Sequence, residues 1–289
     1  MKILLPHPAR LIVNVIILLG LAVHTAHAAP IWIERQFVPE VELKDARFEV
    51  RDATSTQVVD HTPWGTLLAK HLVQSEDGVN RVAYNAFTDE EHASLKSYII
   101  ALEAIDVASI APDVQLAFWI NLYNAATVDL IIDNYPVSSI RDIEDPWDSV
   151  VATVNGVALT LNEIEHGIIR PVFGDARIHY AVNCASIGCP NLSPEPFTGA
   201  TLNQMLDAAA TSYVNHPRGV RIEDDDLVGS KIYGWYREDF GKNRREVIGH
   251  LRQYASPALN AQLETFRKID DYEYDWDLND AAGDEAPTQ

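Results

Sequence analysis

The 289-residue chain has only two cysteines and two methionines. A framework of several disulfides, of the sort that staples small secreted domains, is excluded by that count. Basic residues are scarce as well: 22 Lys and Arg face 42 Asp and Glu, for a formal net charge of −20. Such a surface repels nucleic acid and anionic membrane, so neither is expected as a partner. Past residue 28 no apolar run reaches the roughly 20 residues that a bilayer span needs, so no membrane span is expected after the leader described next. There is no internal repeat. Apolar residues, by contrast, make up 47% of the chain, enough for a full core in one domain of ordinary to large size.

The chain opens MKILLPHPARLIVNVIILLGLAVHTAHAAP. Lys2 and Arg10 precede an apolar run interrupted by Asn14, and Ala26-His27-Ala28 is a small-x-small cleavage site. This pattern predicts a secretory signal peptide over 1–28 and an exported protein, periplasmic or secreted. No cysteine stands near the cleavage site, which speaks against a lipid anchor. Residues 29–59 lack periodicity and are read as an N-terminal arm. Residues 60–276 are expected to form a single globular domain, and 277–289 a disordered acidic tail.

Helical spacing dominates the domain. HTPWGTLLAKHLV and TDEEHASLKSYIIALEAI repeat at helical intervals, and QLAFWINLYNAATVDLIIDNYP is apolar on most sides. A helix apolar nearly all round is a buried central one. VVATVNGVALTL predicts a hairpin about Asn155-Gly156. Thr160 and Glu163 form a capping box that opens the helix LNEIEHGIIR, and Thr201 with Gln204 suggests a second box. ARIHYAVNC alternates and is read as a strand; GVRIEDDDLVGSKIY is read as a hairpin around its acidic turn. WYREDF, RREVIGHLRQYA and PALNAQLETF are the last expected helices. The fold class expected is α+β: a mainly helical body around a central buried helix, with a small antiparallel sheet.

Three stretches carry candidate chemistry. On LNEIEHGIIR, Glu165 falls in the middle of the apolar face and His166 near its edge, so Glu165 needs a partner or a shifted pKa. It reads as either a buried ion pair or a general base or orienter. On the central helix, Asn121 and Asn124 share a side facing protein, while Asp129 and Asp133 mark the solvent side. The two amides fit a structural network or a wall donating to a carbonyl oxygen. On the expected strand, alternation places Arg177, His179 and Asn183 on one face. Cys184, five residues after His179, is out of phase with it, about 16 Å away along an intact strand. A direct thiol–imidazole pair needs the loop to fold back. Cys184 and Cys189 themselves admit a disulfide, a reactive thiol or a metal site. The C-x4-C spacing lacks the second ligand pair of a persuasive zinc site, so no metal and no cofactor are expected.

AFWINLYNAATVDLI, YPVSSIRDI, LTLNEIEHGIIRP, RIHYAVNCASIGCPNL and, more weakly, IYGWYREDF together resemble the family catalogued as domain of unknown function 547, found in bacteria and plants. The resemblance covers roughly residues 60–255. Asn121, Asn124, Glu165, His166, Arg177, His179, Cys184 and Cys189 fall on its motifs. It implies no substrate. Its occurrence in reducing plant compartments favours a thiol or polar-network role over an obligatory disulfide.

The function expected is a thiol-dependent hydrolase or transferase acting on amide-type bonds. Cys184 is its nucleophile, His179 or His166 the base, Glu165 the orienter and Asn121 an oxyanion donor; Asn124, Arg177 and Asn183 contribute to binding. Papain-like and transglutaminase-like folds offer an analogy, although in those the cysteine opens the central helix and precedes the histidine. The alternative is a non-catalytic domain that holds a peptide or small ligand, with a Cys184–Cys189 disulfide clasping a loop. The sequence does not set the oligomeric state.

Overall fold

The computed structural model describes residues 30–284; the expected signal peptide and the last five residues lie outside them. The centre of the molecule is the helix Pro112–Asn134. Its residues 115–128 are buried without interruption, the outcome required of a helix that is apolar on every side. It stops at Tyr135, which is extended ahead of Pro136, as residues before proline prefer.

Helix Asp89–Glu103, opened by a Thr88–Glu91 capping box, packs beside it, and helix Thr62–His71 packs on Asp89–Glu103. The hairpin Val150–Val154/Val157–Thr160 turns at Asn155 (φ 48°) and Gly156 (φ 74°), the two left-handed residues that a tight hairpin turn requires. The Thr160–Glu163 box then starts the helix Leu161–Ile164. That helix widens to a π turn over Glu165–Ile169 and resumes at Arg170–Phe173, ending at left-handed Gly174. A π turn rotates the side chains after it relative to a plain α-helix. Here it presents both Glu165 and His166 inward.

A second core gathers the helices Leu202–Val214 and Arg244–Tyr254 with the hairpin Val220–Glu223/Asp226–Ser230. The hairpin turns at Asp224 and Asp225, both at positive φ. The strand Asp271–Glu273 adds parallel to Asp226–Ser230. The fold is α+β. Its strands form three small sheets and include this parallel pairing, where one antiparallel sheet was expected.

Other expectations are corrected. ARIHYAVNC is not a strand: Ala176–Tyr180 is a 3-10 helix capped by the Asp175 carboxylate. Thr201 makes no cap to its helix and bonds Thr198 instead. The arm is not merely extended. It contains the turns Ile31–Glu34 and Ala46–Glu49, and the second plants Phe48 in the core at 0% exposure. The expected tail is folded through Asn279: Leu278 and Asn279 are buried, and their amides bond Ser138 O and Ala185 O. The papain-like analogy finds no support, since the central helix carries no cysteine and both thiols sit in a loop far along the chain. Among the described residues no helix is long and apolar enough to cross a membrane.

Candidate active site

The loop 181–190 is pinned from several sides. Asn124 donates to Ala181 O (2.9 Å) and accepts from Asn183 N (2.8 Å). Asn183 in turn donates to Pro190 O (2.8 Å) and accepts from Ala185 N (2.9 Å). This tight turn holds Ala185 at φ 59°, a conformation a non-glycine residue adopts only when its surroundings impose it. The C-terminal segment closes the other side, with Ile187 N bonding Asp277 O and Gly188 N bonding Asp275 O (both 2.8 Å). A Cβ on Gly188 would stand 2.7 Å from the Asp275 backbone, so only glycine allows this approach.

The loop places its two sulfurs side by side as free thiols. Cys189 Sγ accepts from Cys184 N–H (3.0 Å) and from the Tyr274 hydroxyl (3.1 Å). Cys184 Sγ lies 3.1 Å from the same hydroxyl and 3.0 Å from Ser186 Oγ. Burial pushes Cys189 up, but the Cys184 thiol, Tyr274 and two backbone N–H groups win and hold it down to about 7. Cys184 is pushed well above its ordinary value, first by donating to Cys189 and then by burial. The two shifts run in opposite directions, so the donors around Cys189 favour its thiolate over that of Cys184.

Glu165, His166 and His179 line the same cavity of about 750 Å³ as the two thiols. His179 Nε2 bonds Asp239 (2.7 Å), and its Nδ1 stands 3.6 Å from Glu165, an ion-pair separation longer than a hydrogen bond. Both ring nitrogens are thus turned to carboxylates, and neither is directed at a sulfur. Arg170 grips Asp239 through two nitrogens (2.7 and 3.0 Å) and donates to His166 Nδ1 (3.1 Å). A guanidinium can only donate, so Nδ1 accepts and His166 carries its proton on Nε2. Burial, reinforced by Arg170 and His179, holds His166 below its ordinary pKa. Burial raises Glu165, yet His166, His179 and Arg170 outweigh it and bring the carboxyl down to about 2. For Asp239 burial likewise opposes ionisation, and the His179 and Arg170 hydrogen bonds overcome it. The ring of Tyr236 stacks on His179 (4.2 Å between centroids, 7° between planes) and lies 5.0 Å from the Arg170 guanidinium. This fixes the cluster's orientation.

The mouth is aromatic. Trp235, Tyr274 and Trp276 pack with centroids 4.7 to 5.6 Å apart, and Arg141 sits 5.2 Å over Trp276. The N-terminal segment straps across this side. Glu34 accepts from Lys231 (2.5 Å) and Trp235 Nε1 (2.8 Å), and Phe37, Val38 and Pro39 reach the cavity.

Of the residues expected from sequence, Cys184, Cys189, His179, Glu165 and His166 line this one cavity. Four do not. Asn121 turns its amide to Phe197, donating to its O (2.7 Å) and accepting from its N (3.0 Å), and does not line the cavity where an oxyanion would form. Asn124 and Asn183 hold the cysteine loop from behind. Arg177 turns to Asp175, Asp207 and Asn203. The strand argument against a Cys184–His179 approach lapses with the strand; His179 Nε2 is taken by Asp239, and its Nδ1 is buried without a hydrogen-bond partner. Sequence reasoning missed Tyr236, Asp239 and Tyr274. A signal for Tyr274 was present: Asp271 to Leu278 alternates acid with aromatic or apolar, and burial follows that alternation. Elsewhere His92, Asp129 and Asp133 converge, but Lys96 bonds both aspartates (3.1 and 2.7 Å) and fills the cation position.

A family model described as "Protein of unknown function, DUF547" matches residues 107–214. That is the family the motifs resemble. The DUF547 segment supplies both thiols, Glu165, His166 and His179, whereas Tyr236, Asp239, Tyr274 and the N-terminal strap lie outside it. No curated protein and no solved structure matches the chain.

Proposed function

We propose that this cavity is the active site of an exported thiol-dependent transferase or hydrolase acting on acyl groups in amide or thioester linkage. The observation that carries the proposal is the thiol pair with one sulfur held down to about 7, lining one cavity of about 750 Å³ with an ordered acid–base cluster, the size of small-molecule sites. The Cys189 thiolate adds to the carbonyl carbon, and the carbonyl oxygen takes up the negative charge. Nε2–H of the neutral His166 donates to that oxygen, in the role a neutral imidazole can fill. The tetrahedral adduct collapses with cleavage of the C–N or C–S bond, and the leaving group departs with the proton held by Cys184. Water or an acceptor amine then adds to the thioester carbon and passes a proton to Cys184, and the adduct collapses to release the acyl product and the Cys189 thiolate. Relative to the sequence expectation the nucleophile moves from Cys184 to Cys189. His179 becomes the group that holds Glu165 and Asp239, not a base.

Alkylation with iodoacetamide across a pH series tests this reading. One thiol should react with half-maximal rate near pH 7, map to Cys189 by peptide mass, and vanish in Cys189→Ser. If neither thiol of the reduced, folded protein outpaces free cysteine at neutral pH, the proposal fails. The closeness of the two sulfurs favours one second reading, a ligand-binding domain clasped by a Cys184–Cys189 disulfide. Two sulfurs that react only after a reductant is added would select it.

A further inference from the structure

A second cavity, of about 530 Å³, shares Lys231 with the first and is walled by the N-terminal strap. Its charges do not cancel. Lys231 pairs with Glu34 and Lys268 with Asp270, while the acid Glu273 is taken by Arg221. Three guanidiniums remain, those of Arg35, Arg237 and Arg244. Arg35 and Arg237 both bond the same Glu238 oxygen. Arg244 has no ion pair among the described residues, and Arg237 Nε is buried without an acceptor. The remaining acid in the wall is Asp271, whose carboxylate is turned to its neighbour's amide, Tyr272 N (2.8 Å). The cavity is lined by five bases and three acids, a positive excess in a chain whose formal net charge is −20. All three arginines line this cavity together with Tyr272.

The rest of the cavity is too large for an oxyanion alone. Ile31 and Trp32 line it, and Trp32 is 64% exposed. We propose that this second cavity binds a phosphate monoester, its phosphoryl oxygens on Arg237 and Arg244 and its organic group against Ile31 and Trp32. Guanidinium forks suit this geometry, and a buried Nε–H without an acceptor gains one. The ligand would also hold the strap. Ile31, Trp32 and Arg35 belong to it, and it docks so closely that a Cβ on Gly234 would stand 2.3 Å from Ile31. The inference does not depend on the thiol chemistry.

Calorimetric titration of the purified protein with phenyl phosphate, at ionic strength fixed with sodium chloride, is the test. One site per chain is expected, with weaker binding of inorganic phosphate and none of phenol. Arg244 is exposed in the first turn of its helix, so Arg244→Gln should keep the wild-type melting temperature while weakening phenyl phosphate at least about tenfold. Arg237→Lys keeps the charge but loses the fork and should weaken it similarly. Equal affinity in wild type and Arg244→Gln, or no heat beyond that of chloride, would overturn the site. Inorganic phosphate binding as tightly as phenyl phosphate would overturn the monoester assignment.

Discussion

Replacing Glu165 by glutamine removes one charge from the centre of the His179–Arg170–Asp239 cluster and leaves its shape nearly unchanged. The carboxyl falls from 4.5 to about 2 on folding, which at 1.36 kcal/mol per tenfold corresponds to roughly 3 kcal/mol of stability. The part owed to His166 applies only at acid pH, where that ring is charged, so roughly 2 kcal/mol is expected near neutrality. The sign follows from the depressed folded pKa. The contribution is complete above the unfolded value of 4.5 and is lost as pH falls toward about 2. Asp239 acts in the same direction and is retained in the variant. The informative quantity is therefore the gap between wild type and Glu165→Gln, not the slope of either. Urea unfolding followed by fluorescence at several pH values from about 7 to 3 measures that gap. It should be roughly 2 kcal/mol near pH 7, or several degrees in melting temperature for a domain of this size, and should narrow steadily below about pH 4.5. A gap under about 0.5 kcal/mol at neutrality, or one that stays constant to pH 3, would refute the account of Glu165 as a buried carboxylate held by basic neighbours.

Two further substitutions probe the cysteine loop. Tyr274→Phe removes the hydroxyl shared by the two sulfurs; a hydrogen bond to a charged group is worth roughly 1.5–3 kcal/mol, so the reactive thiol's apparent pKa should rise by about one or more. An unchanged alkylation profile would show that Tyr274 does not hold the thiolate. Asn124→Ala leaves Ala181 O and Asn183 N unpartnered in the interior and should cost about 2–4 kcal/mol in denaturant unfolding; a loss below about 1 kcal/mol would mean that the loop supports itself.

The parts of the fold visible in the sequence are those set by local rules. The Asn155-Gly156 turn, the Thr160–Glu163 box and the all-round apolar helix each depend on residues within a few positions of one another. The segment after Gly174 misled because six consecutive residues, 178–183, are buried. A segment with no exposed face has no informative period, and the Asp175 cap was the better guide. At the site, Glu165 was legible as a charge on an apolar helix face, and the π turn that brings His166 in beside it was not. Asn121 shows the limit of such arguments: its inward direction was readable, but whether its amide meets a ligand or Phe197 depends on a loop 76 residues away. Acidic composition hid the segment 271–278, which begins with the last strand and in which every second residue is an aromatic or leucine less exposed than its acidic neighbours.

The Tyr274 hydroxyl is separated from the thiols it bridges by 90 and 85 residues of chain. A ribosome or a translocation channel delivers the N-terminal end first, so both sulfurs emerge well before the residue that shields and tunes them. Until then Cys189 lacks one of its stabilising donors, and the cavity lacks the aromatic wall of Tyr274 and Trp276. A nascent chain of this protein is chemically a different object from the finished one: it carries two ordinary, open cysteines and no assembled pocket. The contact common to both sulfurs is thus among the last to form, and a chain that stops short of Tyr274 lacks it altogether.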